Sequence, residues 1–400
     1  MHRIVQWIGP CITPSLALLI SCSSLEPAAP AEDELLDGPV EGLSFEQNSR
    51  FLAGDRAFND EVFTSPTGLG PLFVATSCGS CHAGDGKGHP FSSLVRFGQT
   101  DSTGNRYLHA GGPQLQHRSI PGYAPESLPP GASHSTFIPP ANTGLGYLEL
   151  VPDEDLLAMA DPEDANWDGI SGVPNWAVLP AYIRPGSDKI SRNGKYIHRF
   201  GKKASAFDLM HQTVNAYHQD IGISSSFAPT DIYTGLDIEP EISDLNIHQV
   251  VFYLQALKAP IQRKPDDPKI KAGKSLFTAT GCEKCHKESL RTGPSPIAAL
   301  SDKTFHPYTD LLLHDMGNAL DDGYTEGNAK TYEWRTPPLW GLGLSPDSQG
   351  GQYFLLHDGR ARSIEEAILL HGGEAETSRN KFNQLNVEDR EALIRFLESL

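Results

Sequence analysis

The feature that most constrains this chain is a pair of short motifs, Cys78-Gly79-Ser80-Cys81-His82 and Cys282-Glu283-Lys284-Cys285-His286. Both are C-x-x-C-H, the pattern by which a c-type haem is attached. The spacing has a physical reason. Two thiols on one turn reach the two vinyl groups of a haem, and the adjacent imidazole swings beneath the ring to bind iron. The chain has six cysteines. Cys11 falls in an apolar leader that follows Arg3, and Cys22 ends the run Leu19-Ile20-Ser21-Cys22, which leaves only the four motif cysteines for chemistry. A zinc site shared by four thiolates, or paired thioredoxin-like motifs, would use the same residues. Neither explains a His after both pairs.

The leader, residues 1–22, reads as a signal peptide that is too short to span a bilayer permanently. Its end resembles a lipobox, so the expectation is an exported, periplasmic protein anchored to a bacterial membrane by lipid on Cys22, with the Pro-rich, acidic stretch 23–42 as a solvated tether. A net charge of −18 argues against a nucleic-acid or anionic-lipid surface, which would need clustered Lys and Arg. A basic redox partner suits it better.

At 400 residues the chain is long enough for two cores. An internal repeat points the same way. Short segments before each motif, Gly70 to Thr76 and Ala272 to Thr278, read as matching helices. The runs ending in Tyr253-Leu254-Gln255-Ala256-Leu257 and Phe396-Leu397-Glu398-Ser399-Leu400 have helical apolar spacing. The expected architecture is therefore mostly α, with two cytochrome c-like domains at 43–260 and 270–400, a linker at 261–269, and a loop-rich insertion enlarging the first.

From about Phe45 onward the chain resembles the diheme oxidoreductases often labelled thiol oxidoreductases, relatives of bacterial diheme cytochrome c peroxidases. The resemblance rests on Cys78 to Gly88, Gly144-Leu145-Gly146-Tyr147-Leu148-Glu149, Asp168-Gly169-Ile170-Ser171-Gly172, His306 to Gly317, Arg335 to Gly343 and Leu356-His357-Asp358-Gly359-Arg360-Ala361. Haem attachment and lipidation use every cysteine that remains after export, so the thiol label finds no support here.

The resemblance implies His82 and His286 as the motif-side iron ligands. Counting on from His357 by the peroxidase spacing reaches His371 as the second ligand of the second haem, with His314 and Met316 as rivals. The same helix laid by hand over the first half puts Val214 opposite His371. That implies a first haem open on its far side, although His211 and His218 lie within a turn. Gln212 and Asp220 become the counterparts of the peroxidase distal groups, the alternative being a polar helix face in water. Asp164, Asn166 and Asp168, with Gly169 at the sixth position, follow a calcium-loop spacing but lack the closing Glu; an Asx-rich turn is the alternative. The loop is expected near the first haem.

Three activities fit these expectations. One is peroxide reduction at the first haem, with electrons arriving at the second from a small soluble redox protein. Another is oxidation of a protein or organic substrate docked on the insert Gln99 to Thr230. The third is electron transfer without catalysis, which would follow if a His closed the first iron.

Overall fold

The computed structural model describes residues 36–98, 107 and 113–400. The leader, Cys22, most of the tether and the start of the insert at Gln99 lie outside the described residues.

Helix α1 (Phe45–Asn59) starts at a capping box: the Ser44 hydroxyl accepts from the Gln47 N–H while the Gln47 side chain accepts from the Ser44 N–H. It crosses α2 (Asp244–Ala256), capped by Ser243. In the second half α3 (Pro268–Thr280), with Asp267 as cap and Pro at its first turn, crosses α4 (Val387–Ser399), capped by Asn386. The two crossings are built alike. A β-carbon at Gly54 would run into the Gln249 carbonyl, and one at Gly273 into the Ala392 carbonyl, so each pair of backbones approaches too closely for a side chain. Phe58 packs 5.4 Å from Tyr253, and Phe277 5.4 Å from Phe396, centroid to centroid. The likeness extends to Gly146 against the Gln255 carbonyl and Gly343 against the Glu398 carbonyl.

The first helix of the repeat is therefore α1, not the expected segment at Gly70 to Thr76. That segment contains the two-residue strand Leu72–Phe73, paired with Arg118–Ser119. Gly70 sits at φ +80° and Pro71 has no N–H to donate, so a helix cannot run through them.

The expectation of a mostly α molecule made of two cytochrome c-like domains is overturned. Among the described residues 35% are helical and 12% lie in strands or bridges. The rest is irregular chain, in keeping with 38 Gly and 31 Pro. Short antiparallel ribbons pin the loops: Leu94–Phe97 with His134–Phe137, Leu313–Asp315 with Glu333–Arg335, Leu290–Arg291 with Thr304–Phe305, and a three-stranded sheet around Lys195–His198. The larger apolar core is centred on α1 and α2 but also takes in Leu290, Ile297, Leu300, Phe305, Leu311 and Trp340. A second core forms around α3 and α4. Residues of the second half thus complete the core of the first.

Candidate functional site

Each motif closes one turn. The Cys81 and His82 N–H groups both donate to the Cys78 carbonyl at 3.0 Å, and His286 N–H donates to the Cys282 carbonyl at 3.0 Å. The four thiols are unpaired. Burial pushes Cys78 up to about 12 and Cys81 up to about 11, the direction opposite to that of a reactive thiolate. Among the described residues the one metal-ligating trio holds Cys285 alone of the four, with Asp310 and His314. The four thiols do not gather as a zinc site would require.

Both motifs open onto a cavity of about 440 Å³ that also reaches His371. The three imidazoles are held in one way. His82 Nδ1 lies 3.0 Å from the Pro140 carbonyl, His286 Nδ1 2.9 Å from that of Tyr308, and His371 Nδ1 2.7 Å from that of Ala367. A carbonyl can only accept, so each Nδ1 carries the proton and each Nε2 keeps its lone pair, which is the form that ligates iron. Burial lowers His82 and His286 to about 4 and lowers His371 too, so all three are neutral at neutral pH. His371 follows the short helix Ile364–Leu369, capped by Ser363, and acts electrostatically on His286.

Both rivals also have other partners. His314 lies between two carboxylates, Nε2 2.9 Å from Asp310 and Nδ1 2.6 Å from Glu374, and these hold its pKa well up. Met316 lines the cavity but packs on Phe137, Leu320, Tyr324 and Trp334.

On the side of the first motif, Gln212 and Asp220 both line the cavity, whereas His211 and His218 do not. His211 Nδ1 accepts from the Phe207 N–H at 3.2 Å, and His218 Nε2 lies 2.7 Å from the Thr230 carbonyl. Asp220 sits on a π-helical turn, Ala216–Ile221, that continues the helix Leu209–Asn215. The wider turn breaks the 3.6-residue register, which is why a count based on an ordinary helix is unreliable there.

Asp220 belongs to a network that sequence reasoning missed. The Gln114 side-chain amide donates to Asp220 and to the Gln219 carbonyl. Arg96 donates to the Gln219 side chain and pairs with Glu326, Nη2 to Oε1 2.8 Å, while Tyr324 donates to Glu326 at 3.0 Å. Burial raises Asp220 to about 6 against the opposing pull of Gln114 and Arg96. Arg96 comes from a β-ribbon, Gln114 from a bridge beside it and Glu326 from the second half. Four segments this far apart leave no spacing signal in one sequence.

A family model described as "Di-haem oxidoreductase, putative peroxidase" matches residues 138–400. The chain belongs to the di-haem oxidoreductase family. No curated protein sequence matches the chain. Among solved structures it is similar to hydrazine synthase from Kuenenia stuttgartiensis, pressurised with 20 bar xenon, at 15% identity over 100% of both chains with a TM-score of 0.42. A likeness of that size carries no inference about the fold or the reaction.

A di-haem oxidoreductase has two haems to house, and the residues present fit that need: two thiol pairs, two motif imidazoles with free Nε2 atoms, and a shared cavity. The acidic loop lies at the second motif rather than the first. Asp168 pairs with Lys284 at 3.1 Å, and Glu374 accepts from the Ser171 N–H and hydroxyl. The loop oxygens already accept backbone donors: Asp164 those of Asp168 and Gly169, Asn166 that of Asp168.

Proposed function

We propose that this di-haem oxidoreductase attaches one haem covalently at Cys78 and Cys81 and the other at Cys282 and Cys285, takes electrons in at the second, and reduces hydrogen peroxide at the first. His82 and His286 would hold the two irons from the motif side and His371 would close the second from the other. The observation that carries this reading is the asymmetry of the cavity walls: a neutral imidazole, His371, faces the second motif, and an amide, carboxylate and guanidinium network lies beside the first.

When bound, haem supplies reversible one-electron exchange and, where a coordination position is open, a place for peroxide. The chain's own groups supply the rest. Asp220, raised to about 6, holds a proton into the mildly acid range, below about pH 6, and can release it into the cavity from its carboxyl, the general-acid task that splitting peroxide demands. The Gln114 amide fixes the orientation of that carboxyl. Arg96, neutralised in part by Glu326, offers donors to a developing negative charge. The inward bonding of His211 and outward bonding of His218 favour catalysis over a purely electron-carrying role.

The wider setting is also proposed. Export to the periplasm, a lipid anchor on Cys22 and a basic small redox protein as donor follow from the leader and the charge of −18. Calcium at Asp164, Asn166 and Asp168 is supported by the oxygen donors of the turn, and there it would act on the second haem.

Low-temperature electron paramagnetic resonance of the oxidised protein tests the central claim. One low-spin and one high-spin haem, with cyanide binding only the latter, is the expected result. Two low-spin haems that bind neither cyanide nor peroxide, even after partial reduction, would remove the peroxidase reading.

A further inference from the structure

Three cations line the same cavity with no ion-pair partner among the described residues. Lys87 follows the first motif, Lys202 lies in the turn after the sheet strand Lys195–His198 and precedes a second lysine, and Arg335 ends the strand Glu333–Arg335 of the second half. They meet where the two halves join: the Arg335 N–H donates to the Lys202 carbonyl at 3.0 Å and Arg335 Nε to the Gly201 carbonyl at 2.8 Å. Among the described residues none of the three forms an ion pair, and each lysine ammonium is without a hydrogen-bond acceptor. Asp310 and Asp358 act on Arg335 and Lys202 from beyond ion-pair range.

The neighbouring lysine shows what a satisfied cation looks like here. Lys203 is fully buried; its ammonium donates to the carbonyls of Lys330, Thr331 and Glu333 and lies 3.7 Å from the centroid of the Trp334 ring. Lys202, one residue earlier, has no such set. Burial and the proximity of Lys87 and Arg335 push it down to about 7, and burial pushes Lys87 to about 8. A protein interior does not gather like charges without a counter-charge, because each is penalised by desolvation and by the others.

We infer that Lys87, Lys202 and Arg335 form a cationic cradle for the propionate carboxylates of the haems, at the junction between the two motif sites. The chemistry matches: the cofactor that fills this cavity carries carboxylates, and Arg and Lys supply planar and point-charge donors for them. A cluster shared across the junction also ties the redox properties of both haems to the same three charges. Removing a cation beside a haem's carboxylates makes the ferric form relatively more stable and lowers the midpoint potential.

The inference rests on the proposed covalent haem attachment, and the test separates the two. Holoprotein of the wild type and of Lys202→Met, Lys202→Arg and Lys87→Gln is analysed for covalent haem per chain and titrated spectroelectrochemically. Two haems in every form, with at least one midpoint potential lowered in Lys202→Met and in Lys87→Gln and restored toward wild type in Lys202→Arg, is the expected result. Two haems with unmoved potentials in both Lys202→Met and Lys87→Gln overturn the cradle while leaving attachment intact. Wild-type protein with no covalent haem overturns attachment and the cradle together. A free carboxylate would have the same chemistry, so succinate is added as a probe. A succinate-dependent spectral shift that Lys202→Met abolishes, with unmoved potentials, reassigns the cluster to an external anion and overturns the propionate assignment.

Discussion

The first and second halves share a frame and differ at one wall. In each, a helix with a mid-helix Gly crosses a later capped helix, a Phe from the first packs on an aromatic ring of the second, and a motif His gives its Nδ1 proton to a loop carbonyl. Phe58 lies 6.0 Å from the His82 ring and Phe277 6.5 Å from that of His286. The walls facing those imidazoles diverge. In the second half a short helix ends and delivers His371; in the first the corresponding helix runs into a π turn and delivers Asp220 to Gln114, which Arg96 also contacts. A frame can therefore be repeated while its reactive side is rebuilt, because packing specifies helix crossings and only a few side chains specify the site.

The largest expected effect tests the shared part. Cys78→Ala with Cys81→Ala, and separately Cys282→Ala with Cys285→Ala, should each cost one whole covalent haem, read by haem stain after denaturing electrophoresis. Two haems surviving in either variant would end the symmetrical assignment. His371→Ala comes next: the low-spin signal should turn high-spin completely, with cyanide binding at the first haem unaltered. A retained low-spin signal would return the ligand role to another group, Met316 and His314 both being cavity-lining candidates.

Asp220→Asn probes the other wall. Peroxide turnover should fall by about 10²-fold with both haem spectra nearly unchanged, as expected when a positioned acid is lost. The pH profile carries the sign. Wild-type Asp220 is protonated below its value of about 6, so turnover should decline as pH rises through 6, and the variant should lack that limb. A variant that keeps it assigns the limb to another acid.

Gly54→Ala and Gly273→Ala sharpen the comparison from the side of stability. Each β-carbon would meet a backbone carbonyl that cannot swing away, so each should cost about 1–3 kcal/mol in denaturant unfolding through overpacking. Ala in an exposed helix would instead gain up to about 1 kcal/mol. A stabilised variant at either site would mean that the two crossings are not equivalent. The smallest effect concerns the acidic loop. Chelation should perturb the second haem spectrum slightly and leave the first alone, because Asp168 touches Lys284 of the second motif. No calcium by elemental analysis and no spectral change would leave an Asx turn held by its own hydrogen bonds.

The repeat was legible in part. Apolar spacing marks the closing helices, but the opening helix of the first half stands well before its motif rather than next to it. Its signature stands at Ala53-Gly54-Asp55-Arg56-Ala57-Phe58 against Ala272-Gly273-Lys274-Ser275-Leu276-Phe277. The extra chain from Asp60 to Ser77 hid the match, since α3 runs almost directly into Cys282. The overall class is hidden from the sequence for a related reason. A few strong helices dominate a periodicity reading, while Gly- and Pro-rich loops held by side-chain hydrogen bonds have no period to detect.

What the sequence by itself determined is the local chemistry: two thiol pairs each followed by a His, His371 at the end of a capped helix, and membership of a di-haem family over residues 138–400. These are properties of neighbouring residues, and a turn or a cap needs nothing distant to form. Only the tertiary structure decided which groups meet. It gathered Arg96, Gln114, Asp220 and Glu326 into one network, placed both ring nitrogens of His314 between carboxylates, and left Lys87, Lys202 and Arg335 facing a common cavity. The physical reason is that charge and hydrogen-bond pairing depend on distance in space, and segments joined by long irregular loops carry no record of that distance in their spacing along the chain.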